Sequence, residues 1–270
     1  MRRTWQDGDR VTIAVDDAGI AQVRLARADK LNAIDGAMVD ALLAAGSALY
    51  GWPGLRAVVL AGEGRAFCAG LDLAAMAGNS FVTEAPLAER THGNANRFQQ
   101  LALQWRKLPV PVIAAIHGTC FGGGLQIAAG ADIRVAAPDA RLAVMEVKWG
   151  LVPDMGHYAL WRGIVRDDVL RELTFTHREF SGEEAARLGF ATHADTDPLA
   201  RATAIAREIA VNSPSAVRAA KLLSNRAADA GFDAALLAES IEQQHLIGSR
   251  NQLEAVASQM QRRPGEFVDP

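Results

Sequence analysis

Two acidic residues lie eight positions apart in the segment LAVMEVKWGLVPDMG: Glu146 and Asp154. Glu146 stands among apolar residues near the end of a predicted strand, where burial would raise its pKa and suit it to carry a proton. Asp154 follows Pro153 and fits the N-cap of the next predicted helix as well as it fits a catalytic acid. The pair therefore predicts acid–base chemistry that depends mainly on Glu146, although a carboxylate at a strand end is also commonly just solvated.

Two glycine-containing loops each follow a predicted buried strand and precede a predicted helix: AFCAGLDL (66–73) and HGTCFGGGLQ (117–126). A backbone N–H group in the first turn of a helix has no partner within the helix. Two such groups converging from separate loops could stabilise an oxygen atom that gains negative charge during a reaction. Glycine is also common wherever a strand turns into a helix, so either loop alone is better explained as a structural turn than as part of a catalytic site.

Several other kinds of site are excluded by the motifs. The run Gly122–Gly124 is three consecutive glycines and matches neither G-x-G-x-x-G nor G-x-x-x-x-G-K-[ST], so neither nucleotide-binding motif is present. Cys68 and Cys120 have no metal-ligand spacing and are too few for a disulfide framework, which favours a reducing cytoplasm and predicts no metal site. His117 is flanked by apolar residues and is predicted to be a core histidine.

Short apolar strands alternate with helices along most of the chain. Strands are predicted at 11–15, 20–26, 55–62, 111–118 and 131–137. Helices are predicted from the N-cap Asp35 to residue 49, at 94–107, at 125–130, from the N-cap Ser181 to residue 188, and then at 198–210, 214–226 and 232–260. The alternation predicts an α/β fold with parallel strands over residues 1–199, followed by a helical region over residues 200–270.

The composition limits the partners of the protein. The chain has 270 residues, of which 50% are hydrophobic, so it can bury a large core. A net charge of −3 predicts no nucleic-acid partner. Residues 108–131 carry no Asp, Glu, Lys or Arg, but Pro109, Pro111 and the glycine run would break a membrane helix, so no membrane partner is predicted. Trp149 and Trp161 are both expected to pack in the core.

Four segments in this order resemble the crotonase superfamily, the enoyl-CoA hydratase/isomerase family. They are ADKLNAI (28–34), GRAFCAGLDL (64–73), AAIHGTCFGGGLQIAAGADIRVAA (114–137) and MEVKWGLVPDMGHYAL (145–160). The resemblance extends to RRPGEF (262–267) and so covers nearly the whole chain. It implies a crotonase-like spiral of ββα units with a helical C-terminal trimerisation region. It also implies a homotrimer or a dimer of trimers, and an acyl-CoA substrate that brings coenzyme A with it, so that no separate cofactor is expected.

The resemblance also implies a role for individual residues. Carried over by position, the backbone N–H groups of Leu71 and Gly123 would form an oxyanion hole for the thioester oxygen as it becomes an enolate. The residues that fall where the family binds the coenzyme A moiety and substrate are Ala28, Lys30, Leu31, Ala66, Gly70 and Asp72. Lys30 could reach a phosphate, although an exposed lysine is also commonly just solvated.

One departure from the family pattern bears on the reaction. Hydratases of the family activate water with two glutamates, and the first of these positions holds Gln126 here. An amide cannot take a proton from water as a carboxylate does, but it could still orient a water molecule. Isomerases need one carboxylate, at the Glu146 position, to move a proton along the acyl chain. Dienoyl-CoA isomerases add an aspartate at the Asp154 position, but they also have an acidic residue at the Gln126 position.

Three hypotheses follow. The leading one is double-bond isomerisation of a 3-enoyl- or 3,5-dienoyl-CoA, with Glu146 as base and acid, Asp154 assisting and Gln126 beside them. The alternative is an enoyl-CoA hydratase that adds water to a 2-enoyl-CoA. A further alternative is a non-catalytic acyl-CoA-binding protein, which the loss of a glutamate at position 126 suggests and the retention of Glu146 opposes.

Overall fold

The computed structural model describes residues 3–77 and 86–270. Its strands are β1 (Arg3–Asp7), β2 (Val11–Val15), β3 (Ile20–Leu25), β4 (Ala57–Gly62), β5 (Ala66–Cys68), β6 (Val112–Ile116), β7 (Thr119–Phe121), β8 (Ile133–Ala136), β9 (Arg141–Ala143), β10 (Phe180–Ser181) and β11 (His193–Ala194). Its longer helices are α1 (Gly36–Tyr50), α3 (Arg97–Lys107), α6 (Asp167–Thr176), α8 (Pro198–Ala210), α9 (Pro214–Ala227), α10 (Phe232–Leu246) and α11 (Arg250–Gln261). Its short helices are α2 (Leu73–Ala77), α4 (Gly123–Ala129), α5 (His157–Leu160) and α7 (Gly182–Leu188), with 3₁₀ turns at Ala28–Lys30 and Glu146–Trp149.

The chain alternates between two sheets as it advances. Within the described ranges, one sheet has the order β1-β2-β3-β4-β6-β8-β11 and the other has the order β10-β9-β7-β5. From β3 to β11 the larger sheet is parallel, and β5, β7 and β9 are parallel in the smaller one. Each pass from β4 to β5, from β6 to β7 and from β8 to β9 therefore adds one strand to each sheet. This arrangement confirms the predicted α/β spiral of ββα units.

The local signals in the first part of the chain have the expected physical consequences. In β2 the side chains of Val11, Ile13 and Val15 are buried, and the intervening residues are only half-buried. This alternation matches the period of a strand with one face on the core. The carboxylate of Asp35 accepts the backbone N–H of Met38 at 2.8 Å and so caps α1 as predicted.

Both faces of the larger sheet are covered, because alternate residues of β4 enter two separate cores. Val58 and Leu60 belong to the main core between the sheets and helices, whereas Val59 packs in a smaller core on the opposite face. Helix α8 covers that face with Ala202 and Ala206, which are fully buried. Parallel strands buried on both sides read as continuous apolar runs, which is why β4 and β6 were predicted correctly.

The C-terminal helices differ in how much they bury. Helix α8 packs on the larger sheet, although the predicted boundary between the α/β region and the helical region falls within it, between residues 199 and 200. The division of the chain into these two regions stays a prediction. Helix α10 has no buried residue. The helix predicted over 232–260 is wrong as a single element: α10 ends at Leu246 and α11 begins at Arg250. Ile247 leaves the helical region with a ψ of 126°, and Gly248 follows with a φ of +74°.

No helix in the described part of the chain is long and apolar enough to cross a membrane. The charge-free stretch over 108–131 forms β6, β7 and α4, as the strand–turn–helix prediction requires.

Candidate active site

The two glycine loops meet at one edge of the smaller sheet. Strands β5 and β7 are parallel neighbours, with Cys68 in register with Cys120, so the loops that follow them leave the same edge. A Cβ atom placed on Gly70 would lie 2.8 Å from the carbonyl oxygen of Phe121 and 3.5 Å from the backbone nitrogen of Gly123. A carbon cannot approach an oxygen so closely, and the φ of Gly70 is +87°, so only glycine fits here.

The N–H groups of Leu71 and Gly123 are both left without an acceptor among the described residues. Ile34 donates its N–H to the carbonyl of Gly70 at 2.8 Å and accepts the N–H of Asp72 at 2.9 Å, which bypasses the Leu71 N–H between them. Gly123 is the first residue of α4, where an N–H group has no partner within the helix. Both residues line a cleft of about 260 Å³. Two backbone donors are therefore available to an oxygen atom bound in the cleft.

Glu146 lines the same cleft and is tied to Gln126. The Nε2 atom of Gln126 donates to Oε1 of Glu146 at 2.6 Å, and Oε1 of Gln126 accepts the backbone N–H of Met155 at 2.7 Å. Since a backbone N–H can only donate, the bond from Met155 shows which end of the Gln126 amide is the oxygen. The NH₂ group of Gln126 must therefore face Glu146. The other carboxylate oxygen, Oε2 of Glu146, is buried, and no described residue bonds to it.

The placement of Glu146 differs from the sequence prediction. It is the first residue of a 3₁₀ turn and not the end of a strand, because the N–H of Lys148 bonds to the carbonyl of Met145 at 3.2 Å and the N–H of Gly150 bonds to the carbonyl of Val147 at 3.1 Å, both three residues back. Burial raises the pKa of Glu146, and the negative charge of Asp154 raises it further, whereas the hydrogen bond from Gln126 lowers it. A carboxylate with a raised pKa and one free oxygen is suited both to accept and to return a proton.

Asp154 lies beside this group but not on the wall of the cleft. It is exposed and is not among the described residues that line the cleft. Surrounding protein atoms nevertheless displace part of the water around its carboxylate, and this desolvation raises its pKa. The N-cap alternative is wrong, because Gly156 occupies the N-cap of α5. Asp154 therefore acts on Glu146 through its charge in this arrangement.

Three of the residues expected near coenzyme A, namely Ala28, Lys30 and Leu31, lie on a loop next to the loop that follows β5. Ala28 and Lys30 are exposed on the first 3₁₀ turn, and Leu31 follows in the left-handed region with a φ of +51°. The Ile34–Leu71 bridge joins this loop to the glycine loop. The Lys30 side chain is therefore open to solvent on a loop that is joined to the glycine loop.

Two other members of that group have structural partners. Asp72 accepts Nη1 of Arg27 at 2.7 Å and the N–H of Ala74 at 2.9 Å, and the bond from Arg27 lowers the pKa of Asp72. The side chain of Ala66 is fully buried in β5, so only its backbone could meet a ligand. Its carbonyl already accepts Nδ2 of Asn32 at 2.8 Å. Gly70 alone of these residues lines the cleft.

Sequence reasoning missed three contributors to the site. Asn32 is fully buried and holds the 28–34 loop against β5 through its side-chain amide. The Met155 N–H orients Gln126, but backbone groups leave no signal in residue types. Trp149 was expected in the core and instead lines the cleft, half-exposed, whereas Trp161 packs against Phe190 with ring centres 4.7 Å apart, as expected.

Neither a metal site nor a nucleophilic cysteine is supported by the described residues. They contain no group of three His, Cys, Asp or Glu side chains that could hold a metal ion. Cys68 and Cys120 are free and fully buried, and burial raises the pKa of Cys68 to about 12, so neither is a ready nucleophile. His117 is only half-buried and bonds through Nε2 to the carbonyl of Gly64 at 3.0 Å, so its prediction as a core histidine is wrong.

Comparison with known proteins gives consistent matches over nearly the whole chain. The family model for enoyl-CoA hydratase/isomerase matches residues 16–270. The mitochondrial Delta(3,5)-Delta(2,4)-dienoyl-CoA isomerase of Rattus norvegicus is 30% identical over 259 residues, which are 92% of this chain and 79% of the relative. The mitochondrial enoyl-CoA hydratase domain-containing protein 2 of Bos taurus is 30% identical over 263 residues, 95% of this chain and 86% of the relative.

Solved structures share the same architecture. The crystal structure of an enoyl-CoA hydratase from Bacillus anthracis superposes with a TM-score of 0.86 at 26% identity, over 96% of this chain and 98% of that chain. An enoyl-CoA hydratase from Mycobacterium smegmatis superposes with a TM-score of 0.82 at 29% identity, over 95% of this chain and 98% of the other. The similarity thus includes both hydratases and an isomerase by name.

Proposed function

Because the chain belongs to the enoyl-CoA hydratase/isomerase family, whose members act on acyl-CoA thioesters, we propose that it is an enoyl-CoA isomerase. It moves a double bond in a 3-enoyl- or 3,5-dienoyl-CoA by transferring a proton on Glu146. The observation that supports this choice over hydration is the state of Gln126. Its amide is held by Glu146 Oε1 and by the N–H of Met155, and an amide cannot take a proton from water, so this position supplies no second base for hydration.

Glu146 is proposed to use one oxygen for both proton transfers. Its Oε1 accepts the hydrogen bond from Gln126, so a proton on this carboxyl group is carried by Oε2. Oε2 of the ionised carboxylate removes a proton from C2 of a 3-enoyl-CoA, and the electron pair spreads over the thioester as a dienolate. The same oxygen then returns the proton to C4, which gives the 2-enoyl product with no net change in atoms. Removal and return by one oxygen take place on one face of the acyl chain.

The backbone N–H groups of Leu71 and Gly123 are proposed to stabilise the dienolate oxygen. Donors that are already in place when charge develops lower the barrier most, because no reorganisation is needed at that moment. The raised pKa of Glu146 reduces the difference in acidity between the carboxyl group and the α-carbon. In this mechanism Asp154 assists only by raising that pKa, and coenzyme A enters as part of the substrate, with no further cofactor.

The coenzyme A moiety is proposed to lie along the 28–34 loop. Lys30 is exposed on the loop and could pair with a phosphate group, and Gly70 allows the thioester to approach the backbone. Ala28, Leu31, Ala66 and Asp72 then act through the loop and strand that they build. Replacement of Lys30 by Ala should weaken acyl-CoA binding, which isothermal titration would detect. It should not lower kcat, which a turnover assay would check.

The assembly is proposed to be a homotrimer or a dimer of trimers held together by the C-terminal helices. Helix α10 buries none of its residues within the chain, and Phe232 and Leu237 are among its exposed apolar side chains. Several exposed apolar side chains on one helix of a folded chain favour association with another subunit. Multi-angle light scattering on the purified protein tests this, and a monomer at micromolar concentration would contradict it.

The experiment that tests the reaction is mass spectrometry of acyl-CoA products formed in heavy water. The substrates are matched 2-enoyl-, 3-enoyl- and 3,5-dienoyl-CoA thioesters, with the Glu146→Gln variant as the control. Isomerisation predicts that the double bond moves and that no water is added. Any deuterium taken up should be at the carbons between which the proton is transferred. Products heavier by one water, formed by the wild type and not by the variant, would establish the hydratase alternative and overturn the proposal.

The same experiment addresses the non-catalytic alternative. A catalyst returns at least one substrate changed and loses turnover in Glu146→Gln while it still binds acyl-CoA. If the wild type binds these thioesters in a titration and returns every one unchanged and unlabelled, the isomerase proposal fails and the protein is an acyl-CoA binder.

A further inference from the structure

The cleft beside Glu146 contains a tryptophan whose position the packing of the chain does not explain. Trp149 has 48% of its surface exposed, whereas Trp105 and Trp161 are fully buried in the core. A large aromatic side chain left half in water gives up about half of the stabilisation that its full burial would provide. Large apolar groups at the wall of a cleft are instead typical of ligand sites.

The backbone places Trp149 on the same side as Glu146. The two residues are the last and first of one 3₁₀ turn, and a 3₁₀ helix has three residues per turn, so residues i and i+3 lie above one another. The N–H of Leu151 closes the segment by bonding to the carbonyl of Glu146 at 3.0 Å. Glu146, Trp149 and Leu151 accordingly all line the cleft. The indole therefore lies one turn away from the carboxylate that handles the proton.

The chemistry around the indole favours a planar, apolar group. The cleft walls also include the apolar side chains of Leu71, Leu73, Phe121, Met145 and Leu151. The Nζ atom of Lys148 lies 5.6 Å from the centre of the Trp149 ring, within the range of a cation–π contact. Such a contact increases the ordering of an otherwise exposed ring, so less freedom is lost when a ligand stacks on it.

We propose that Trp149 determines the acyl specificity of this site, by stacking on acyl groups that carry a planar π system close to the reacting carbons. The π system is an aryl ring or a conjugated diene, which share this recognition chemistry. The proposal rests on the proposed function only in taking the cleft at Glu146 as the acyl site. Aromatic stacking adds to the contribution of buried area and corresponds to about a threefold to tenfold gain in affinity.

The test measures binding by isothermal titration, in a Glu146→Gln background that prevents turnover. Two pairs of thioesters are matched in carbon number: 2,4-hexadienoyl-CoA with hexanoyl-CoA, and 4-phenylbutanoyl-CoA with decanoyl-CoA. Each pair gives a preference ratio, the Kd of the saturated thioester divided by the Kd of the planar one. We expect a ratio of about five or more in at least one pair, and the pair that shows it distinguishes a diene from an aryl ring.

Three substitutions separate stacking from general packing. Trp149→Leu should reduce the ratio to about one, and Trp149→Phe should keep most of it because a ring remains. Val147→Ala is the matched control, since Val147 belongs to the same turn, is similarly exposed and is not among the residues that line the cleft. It should leave the ratio unchanged. A ratio near one in both pairs before substitution, or a ratio that Trp149→Leu does not reduce, would overturn the proposal.

The outcome is independent of whether the protein is an isomerase. If the heavy-water experiment detects no isomerase activity and the preference ratio is as expected, the proposed reaction is contradicted and the role of Trp149 is supported. Isomerase activity with no preference for planar groups would do the reverse.

Discussion

Two buried charged groups in this protein have opposite hydrogen-bonding states. The ammonium of Lys221 donates to Oδ2 of Asp132 at 2.7 Å, to the carbonyl of Val110 at 2.8 Å and to the carbonyl of Trp105 at 3.0 Å, so all three of its donors are used. The carboxylate of Glu146 has a partner for Oε1 but none for Oε2 among the described residues.

The contrast agrees with a structural role for Lys221 and with the proton transfer proposed for Glu146. A buried charge costs stability unless it is paired and hydrogen-bonded, and Lys221 meets that condition where it joins α9 to the edge of the core. Glu146 meets it only in part, and its raised pKa records the remaining cost. A carboxylate that lines a cleft and keeps one oxygen without a partner is suited to proton transfer.

The largest expected effect is the loss of catalysis when Glu146 is replaced by Gln. The amide keeps the shape but cannot carry the proton, so kcat should fall by about 10⁴-fold. The free energy of unfolding at pH 7 should not decrease. Because the folded-state pKa is raised, the ionised carboxylate is a cost to the fold at every pH above its unfolded value, and the substitution removes that cost. Turnover and urea unfolding on the same sample check both parts.

Glu179 provides the control for that substitution. It also lines the cleft, but it is exposed and accepts two hydrogen bonds from Arg141 at 2.7 and 2.8 Å. Glu179→Gln should lower kcat by less than about tenfold, since exposed ion pairs contribute little. Equal losses in the two variants would show that the free oxygen of Glu146 is not the distinguishing feature.

The next effect is on stability, at the satisfied member of the comparison. Lys221→Met leaves Asp132 without its cation and two carbonyl oxygens without their donor, so the free energy of unfolding should fall by about 3 kcal/mol. The kcat of the folded protein should stay within about twofold, because Lys221 lies away from the cleft. Lys107→Met is the control, because Lys107 is exposed and its ammonium bonds to Gln100 alone among the described residues. This substitution should lower the free energy of unfolding by no more than about 0.5 kcal/mol.

His157 extends the comparison to acidic pH. Its Nε2 lies 3.2 Å from Oγ1 of Thr174, its Nδ1 has no partner among the described residues, and burial lowers its pKa from 6.5 to about 4. Between these values the unfolded chain binds a proton that the folded chain does not, so stability is retained above pH 6.5 and falls as the pH drops towards 4. The loss should be about 2 kcal/mol.

Urea unfolding between pH 7 and pH 4.5 measures that loss. His157→Gln can keep a donor near Thr174 but does not titrate, so it should remove this part of the decrease. A decrease of the same size in the variant would assign it to other groups, such as the paired carboxylates.

The smallest expected effect is at Gln126. Its hydrogen bond favours the ionised form of Glu146, so Gln126→Leu should raise the pKa of Glu146 further and move the acidic limb of the kcat/KM profile to higher pH. We expect kcat at the optimum to fall by about tenfold, since one hydrogen bond to a charged group is lost. Gln126→Asn, which keeps an amide at a shorter reach, tests whether geometry matters. An unmoved acidic limb in both variants would show that Gln126 does not control the protonation of Glu146.

Much of the fold could be predicted because its signals are local. The alternation in β2 and the Asp35 cap act over two to four residues, and the predicted elements there match the structure to within about one residue. The smaller sheet was not recognised as a sheet, because strands such as β5 and β7 have only three residues and show no period. The break at Gly248 was missed because helix-favouring residues continue on both sides of it.

The amino-acid sequence by itself determined which chemical groups are present and in what order: Glu146, the amide at Gln126 and the two glycine loops. Only the tertiary structure decided that Oε2 of Glu146 is the free oxygen, that Asp154 stays off the cleft wall and that Trp149 enters it. The physical reason is distance along the chain. The bonds of Gln126 connect residues 20 and 29 positions apart, and such pairings exist only once the sheets have brought separate loops to one edge.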